Sequence, residues 1–238
     1  MTGMHREPVL PATSSLICLV TDRHVLAHAA VRDDGLWLRQ LLALIADCAD
    51  AGVDLVQIRE PGLSDRRLLA LVRGAVDRTR TTSARVVVND RPDVALAAGA
   101  AGVHLKDDQR SAVRVRALGP ADWILGRSVH DADSARRATE SGAVDYLLAG
   151  TLFPTASKPG RRPLGPDALR SIVGAVNRPV LAIGGVGVPE AAAVAATGAA
   201  GVAGIRLFRI PPGADHRTRI AARVRALRAA FDSRGTLH

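Results

Sequence analysis

Aromatic residues are nearly missing from this chain of 238 residues, where Trp, Tyr and Phe together make up 3%. The hydrophobic content is nevertheless 47%, so the core has to be built from Ala, Val, Leu and Ile. That suits helices packed on buried strands better than an antiparallel sandwich. Cysteine is almost absent as well. Cys18 and Cys48 form no C-x-x-C or metal-binding pattern, and one pair cannot staple a domain of this size, so reduced thiols in a cytoplasm are expected. Long apolar runs are also lacking. No segment reaches membrane-spanning length, and residues 1–15 hold no long apolar stretch of the kind found in export signals.

Lysine is scarce in a different sense. Lys106 and Lys158 are the two lysines among 32 basic residues. A chain that uses arginine nearly everywhere else is expected to need a compact ammonium at those places. The formal charge of +9 raises nucleic-acid binding as a question. However, arginines such as Arg66, Arg73, Arg136, Arg223 and Arg228 are scattered over apparent helix faces, with no basic block and no interleaved aromatics. A solvated basic surface, or affinity for small phosphorylated anions, fits that distribution better.

Short apolar runs alternate with longer amphipathic ones. The pattern predicts strands over 16–21, 54–60, 85–90, 102–106, 123–129, 145–150, 179–184 and 201–208. Helices are expected over 36–51, 64–79, 132–141, 166–175, 189–197 and 214–233, with shorter ones over 93–98 and 111–118. Eight such strand–helix units imply a single-domain α/β chain of the (β/α)₈ (TIM) barrel type spanning 16–238, preceded by a loose, polar arm over 1–15. An internal echo supports it. Segments A-G-V-D-L-V (51–56), A-G-A-A-G-V (98–103), S-G-A-V-D-Y (141–146) and T-G-A-A-G-V (197–202) each place a helix-ending Gly before an even-numbered strand.

In such a barrel the chemistry sits at the C-terminal ends of the strands. Those ends are polar or Gly-rich here, while the strand bodies are apolar: T-D-R (21–23), Q-I-R-E (57–60), N-D-R (89–91), S-V-H (128–130) and G-G-V-G (184–187) are examples. The loop after the sixth strand gathers Thr151, Thr155, Ser157 and Lys158 beside several Gly and Pro. Hydroxyls, backbone N–H groups and an ammonium are what a phosphate requires. Arg59 and Lys158 are candidates for phosphate oxygens, and Asp90 with Asp107 or Asp108 for Mg²⁺ beside a diphosphate. The G-G-V-G turn is expected to offer N–H groups to a second phosphate. Plainer roles compete: Asp90 as a helix cap, Arg59–Glu60 as a structural ion pair, and His104 and His130 as hydrogen-bonded barrel residues.

L-V-T-D-R (19–23), V-Q-I-R-E (56–60), V-N-D-R-P-D-V-A-L-A (88–97), G-V-H-L (102–105), G-R-S-V-H (126–130), F-P-T-A-S-K (153–158), P-L-G (163–165) and A-I-G-G-V (182–186) together resemble the thiamin phosphate synthase / thiazole tautomerase family. The resemblance covers roughly residues 16–210, in order. It implies a (β/α)₈ barrel that joins hydroxymethylpyrimidine diphosphate to a thiazole phosphate and releases diphosphate with Mg²⁺. Carried over residue by residue, it implies that Gln57, Arg59, Asn89, Ser128 and Lys158 line the pyrimidine diphosphate pocket. Asp90 and Asp108 would serve Mg²⁺, and Thr155, Ser157 and Gly185 the thiazole phosphate. The implied mechanism is dissociative: diphosphate leaves, and the thiazole nitrogen captures a pyrimidine-stabilised cation. Arg59, Ser128, His130 and Lys158 are the residues expected to act on the reacting groups.

Two positions depart from the synthase pattern. The family's Q-x-R-E-K ends in a lysine where this chain has Pro61, and its second metal carboxylate falls on Gln109 in an ungapped match. The G-R-S-V-H segment resembles tautomerase relatives, in which a His at the place of His130 is a proton-transfer candidate. The expectation is a synthase first, a thiazole tautomerase second, and a non-catalytic phosphate-binding barrel third. Partners would be small phosphorylated molecules, not nucleic acid or membrane, with homo-oligomerisation left open.

Overall fold

The strands are apolar at nearly every position because both of their faces are covered, one by the barrel interior and one by helices. In the computed structural model, which describes residues 10, 15–26, 34–106, 111–155, 160, 162–210 and 215–233, eight parallel strands close into a barrel in chain order. They are β1 (Leu16–Val20), β2 (Leu55–Ile58), β3 (Arg85–Asn89), β4 (Gly102–Leu105), β5 (Ile124–Val129), β6 (Tyr146–Gly150), β7 (Val180–Ile183) and β8 (Gly201–Gly204). Pairing of β8 with β1, from Leu16 opposite Gly201 to Leu19 opposite Gly204, closes the ring. The (β/α)₈ architecture is the one that the alternation of patterns implied.

Helices α1 (Arg23–Leu26), α2 (Asp34–Asp50), α3 (Asp65–Thr79), α4 (Pro92–Ala98), α5 (Ala112–Arg116), α6 (Ala132–Glu140), α7 (Gly165–Gly174), α8 (Ala191–Ala195) and α9 (His216–Asp232) surround the sheet. Alternate strand residues divide the apolar content in two. Leu16, Cys18 and Val20 face the interior with Leu55, Val87 and Tyr146, among others, while Ile17 and Leu19 pack outward with Trp37, Leu41 and Ile45. Both cysteines are free and buried. Burial pushes the Cys18 thiol up to about 12, so it is inert at neutral pH.

The last strand is shorter than its pattern suggested. After Gly204, Ile205 leaves the extended region (φ −89°, ψ −64°) and Arg206–Phe208 forms a 3₁₀ turn. Turning back buries Leu207 and Phe208 in the layer between sheet and helices, where a continuing strand would carry them past the barrel mouth. Within the stretch read as a loose arm, Leu10 and Ser15 are the described residues. Both are buried, and Leu10 packs with the interior side chains.

The four echo glycines behave as their spacing required. Gly52, Gly99, Gly142 and Gly198 have φ of 93°, 67°, 69° and 87°, the left-handed geometry that glycine adopts without penalty. The echo also extends to side chains. Before β2, Asp54 Oδ2 accepts from the Ile17 N–H at 2.8 Å and from Arg228 at 3.1 Å. Arg228 also donates to the carbonyls of Ser15 and Gly52. Before β6, Asp145 Oδ2 accepts from the Leu125 N–H at 2.7 Å and from Arg116 at 2.5 Å. Arg116 donates in turn to the carbonyls of Trp123 and Ala143. Each partner of the first clamp has its counterpart in the second, half a barrel away. Gly102 and Gly201 repeat the relation: a Cβ there would lie 1.9 Å from Ile124 O and 1.8 Å from Leu16 O, respectively.

Candidate active site

At the C-terminal ends of the strands lies a cavity of about 1000 Å³. Every strand, or the residue just beyond it, contributes to the wall, from Val20 on β1 to Gly204 on β8. A hydrogen-bonded polar network links the ends of β2, β3 and β4. Gln57 Nε2 donates to Asn89 Oδ1 at 2.9 Å, and Asn89 Nδ2 donates to Asp90 Oδ2 at 3.3 Å. Asp90 Oδ1 accepts the Lys106 N–H at 2.9 Å, tying β3 to β4. Asp90 has φ of 54°, and no other non-glycine residue among those described has a positive φ. Such strain is kept where the surroundings hold it in place. Gln57 Oε1 is buried with no hydrogen-bond partner. A buried acceptor without a donor is costly, and a ligand N–H would satisfy it.

Beneath the floor runs a second polar chain. Tyr146 on β6 passes over Gly126 on β5, its register partner, toward His104 on β4, and a Cβ at Gly126 would meet the phenol ring at 2.2 Å. Its hydroxyl lies 3.1 Å from His104 Nδ1, and His104 Nε2 lies 2.9 Å from Ser128 Oγ. Burial, with the nearby Arg127 charge, lowers the His104 pKa to about 3. The imidazole is therefore neutral and fixes the Ser128 hydroxyl, which lines the cavity. His104 thus takes the plainer role of a hydrogen-bonded barrel residue.

His130 sits on the rim. Its Nδ1 lies 2.6 Å from Gly150 O, and its backbone N–H donates to Ser134 Oγ at 3.2 Å. The following capping box, with Ser134 N–H on Asp131 Oδ1 at 2.6 Å, starts α6 directly after it. The loop after β6 is laced to its neighbour: the Leu152 and Phe153 N–H groups donate to Ile183 O and Gly184 O, each at 2.9 Å. Gly185 (φ 71°) lies so close beneath that a Cβ would stand 2.7 Å from both Phe153 O and Pro154 O. Only glycine fits that crossing.

Gln57, Arg59, Asn89, Ser128, His130, Thr155 and Gly185 all line the cavity. Asp90 lies directly next to this wall through Asn89 and Lys106. Ser157, Lys158 and Asp108, with Asp107 and Gln109, lie outside the described residues. Two of the plainer readings are corrected. The residue at the N-cap of α4 is Arg91, and Asp90 spends its carboxylate on Asn89 and Lys106, so it is not the cap. Glu60 pairs with Arg23, whose Nη1 is 3.2 Å away and whose N–H is 3.1 Å away, so Arg59 is not its partner. Burial pushes the Glu60 carboxyl up while Arg23 and Thr21 pull it back. Arg59 stays exposed at the cavity, with no carboxylate partner among the described residues.

Arg206, at the end of the eighth predicted strand, lines the cavity as its position there suggested. One wall residue was not foreseen: Arg223, from α9, also lines the cavity, and its Nη1 holds the 3₁₀ turn through Leu207 O at 2.7 Å. Nothing local in the sequence marks Arg223, which resembles any other helix arginine. The G-G-V-G turn also has an internal user: Gly187 N–H donates to Glu190 Oε2 at 2.9 Å. All four residues of the turn line the wall, but the Gly187 N–H is spent on Glu190.

A parallel barrel with cationic side chains around one mouth has the form of an enzyme active site open to small anionic ligands. The chain belongs to the thiamine monophosphate synthase family, whose sequence model matches residues 28–208. It is 34% identical to the thiamine-phosphate synthase of Roseiflexus sp. strain RS-1 over 196 residues, 82% of this chain and 78% of that one. The thiamine-phosphate synthase of Moorella thermoacetica is 40% identical over 160 residues, 66% of this chain and 75% of that protein. The structure of thiamine phosphate pyrophosphorylase from Pyrococcus furiosus superposes with a TM-score of 0.74 at 28% identity, covering 92% of this chain and 96% of that one.

Proposed function

We propose that this chain is a thiamine-phosphate synthase, a transferase that couples hydroxymethylpyrimidine diphosphate to a thiazole phosphate and releases diphosphate. The observation that carries this reading is the distribution of charge around one cavity. Arg59 and Lys106 stand on the β2–β4 arc, Arg206 and Arg223 on the β7–β8 arc, with uncharged Gln57, Asn89 and Ser128 also in the wall. Two anionic groups can be held at once, with room for two heterocycles between them. Gln57 Oε1, buried and without a donor, suits the amino group of a pyrimidine. The neutral His104 fixes Ser128 at the ring's edge.

In a dissociative transfer the protein acts mainly by stabilising the departing charge and by holding the acceptor in line. Arg59 stabilises the leaving diphosphate, and Lys158 is assigned the same task. Thr155, Ser157 and Gly185 position the thiazole phosphate beside the β6 loop. Among the described residues no cluster of three His, Cys, Asp or Glu side chains could hold a metal. Asp90, however, is a carboxylate fixed beside the cavity, and Mg²⁺ takes one or two carboxylates plus substrate oxygens. Asp90 thus suits a cation completed by the diphosphate, and Asp108 is assigned to it as the second protein ligand. Such a cation would offset the charge that builds on the leaving group.

A second reading is thiazole tautomerase. It is favoured by His130, whose Nδ1 is engaged by Gly150 O and whose Nε2 is left for a proton transfer. No helix among the described residues is long and apolar enough to cross a membrane, and a cytoplasmic enzyme is part of the proposal. Purified protein given both synthase substrates, with and without Mg²⁺, should release diphosphate in step with thiamin phosphate formation. Turnover of the thiazole carboxylate phosphate alone, with no diphosphate release, would replace the synthase by the tautomerase.

A further inference from the structure

We infer that Lys106 is a diphosphate-binding residue, supplying from the end of β4 the ammonium that the loop after β2 lacks. The inference rests on the synthase reading and adds to it a residue that the motif-based assignment does not include. Four observations converge on it. Lys106 lines the cavity, exposed at the end of β4. Its backbone is fixed there, because its N–H donates to Asp90 Oδ1 at 2.9 Å, so the side chain starts from a defined point beside the carboxylate assigned to Mg²⁺. No carboxylate among the described residues pairs with the Lys106 ammonium. Finally, it is one of two lysines in a chain with 32 basic residues.

The other side of the arc explains why a cation is needed from this direction. After β2, Arg59 reaches the cavity, but Glu60 is occupied by Arg23 and Pro61 carries no charge. The Pro61 carbonyl is itself held by Arg23 Nη1 at 3.2 Å, which fixes this loop around an internal ion pair. β3 lies between β2 and β4 in the ring, so Arg59 and Lys106 flank Asn89 and Asp90 from the two sides. A diphosphate spans more than one phosphoryl group and carries several negative charges. A planar guanidinium on one side and a compact ammonium on the other can engage different oxygens of it. An ammonium also tolerates the nearby Asp90 and a divalent cation, since its charge sits at the end of a long flexible stem.

The test is calorimetric titration of the full chain with inorganic diphosphate in the presence of Mg²⁺, and separately with the thiazole phosphate. Lys106→Met should bind diphosphate about ten- to a hundredfold more weakly than the unaltered protein, the loss of one charge-assisted contact. Lys106→Arg should retain binding to within about tenfold, and thiazole phosphate affinity should be unchanged in both variants. Because the side chain is exposed, thermal melting should match the parent, which separates a binding defect from a folding one. If the unaltered protein binds diphosphate and Lys106→Met binds it equally well, Lys106 has no such role while the synthase reading stands. If the unaltered protein does not bind diphosphate at all, both fail together.

Discussion

The Nδ1 atom of His130 lies 2.6 Å from the carbonyl oxygen of Gly150. A carbonyl only accepts, so Nδ1 carries the proton and Nε2 is the nitrogen with a lone pair in the neutral ring. The contact joins the end of β5 to the end of β6, and it gives an exposed histidine one orientation. That is the arrangement a proton-transfer group needs.

His130→Asn should therefore abolish any tautomerisation of a thiazole carboxylate phosphate, by roughly a hundredfold or more, with the melting temperature nearly unchanged. Synthase turnover, if present, should survive far better, because the dissociative route asks nothing of a base at that point. Equal tautomerisation by the variant and the parent would make His130 a structural residue.

His104 gives the molecule an acid-sensitive point. Its pKa is lowered to about 3 by burial and by Arg127, whereas in the unfolded chain it is near 6.5. Above pH 6.5 both states are neutral and the group costs nothing. As pH falls from 6.5 toward 3, the unfolded chain binds a proton that the folded chain refuses. Stability then drops by about 1.4 kcal/mol per pH unit. Denaturant unfolding across that range should be steeper in pH for the parent than for His104→Gln, by about one proton. Parallel profiles would mean that the ring is protonated in the folded state.

Local rules carried most of the frame. The glycines before the even-numbered strands, the apolar strand bodies and the polar strand ends all declare themselves within a few residues of each other. What escaped are relations between distant residues with no spacing rule. Arg23 and Glu60 are 37 positions apart, and the neighbouring Arg59 was the obvious but wrong partner. Tyr146 meets His104, two strands away, only because Gly126 on the strand between leaves room. Arg223 enters the cavity from a helix whose polar face looks uniform in sequence. Closure of the ring, not any local signal, creates these contacts.

The two clamps on β1–β2 and β5–β6 make a prediction about stability. Asp54 and Asp145 are largely buried, with side-chain exposures of 13% each, and each satisfies a strand N–H as well as an arginine. Removing one partner leaves the other charge without compensation, at a cost of about 3 kcal/mol. Asp54→Ala and Asp145→Ala should be destabilising by similar amounts, since their partners correspond one for one. The sites lie half a barrel apart and share no residue, so the double variant should show nearly the sum. Urea unfolding of the four proteins measures this. A strongly unequal pair would mean that the matching geometry does not carry matching energy.

The metal is the part of the proposal that Asp90 puts to the test. Its carboxylate is anchored by Asn89 and by the Lys106 N–H, yet each oxygen keeps a further lone pair for a cation. The proposed companion, Asp108, follows β4 in the sequence, and β4 is the neighbour of β3 in the ring. Mg²⁺ dehydrates reluctantly and usually keeps several waters. Binding should therefore be weak in the free protein and tighten when diphosphate is present. Gln109 offers at most a neutral carbonyl oxygen, so Asp108→Asn should raise the Mg²⁺ concentration needed for half-maximal turnover more than Gln109→Ala does. Asp90→Asn should do so as well, by about ten- to a hundredfold, the loss of one charged contact. Magnesium titrations of diphosphate release in the three variants decide the matter. Activity that is independent of metal in all of them would remove Asp90 and Asp108 from the site and favour the tautomerase.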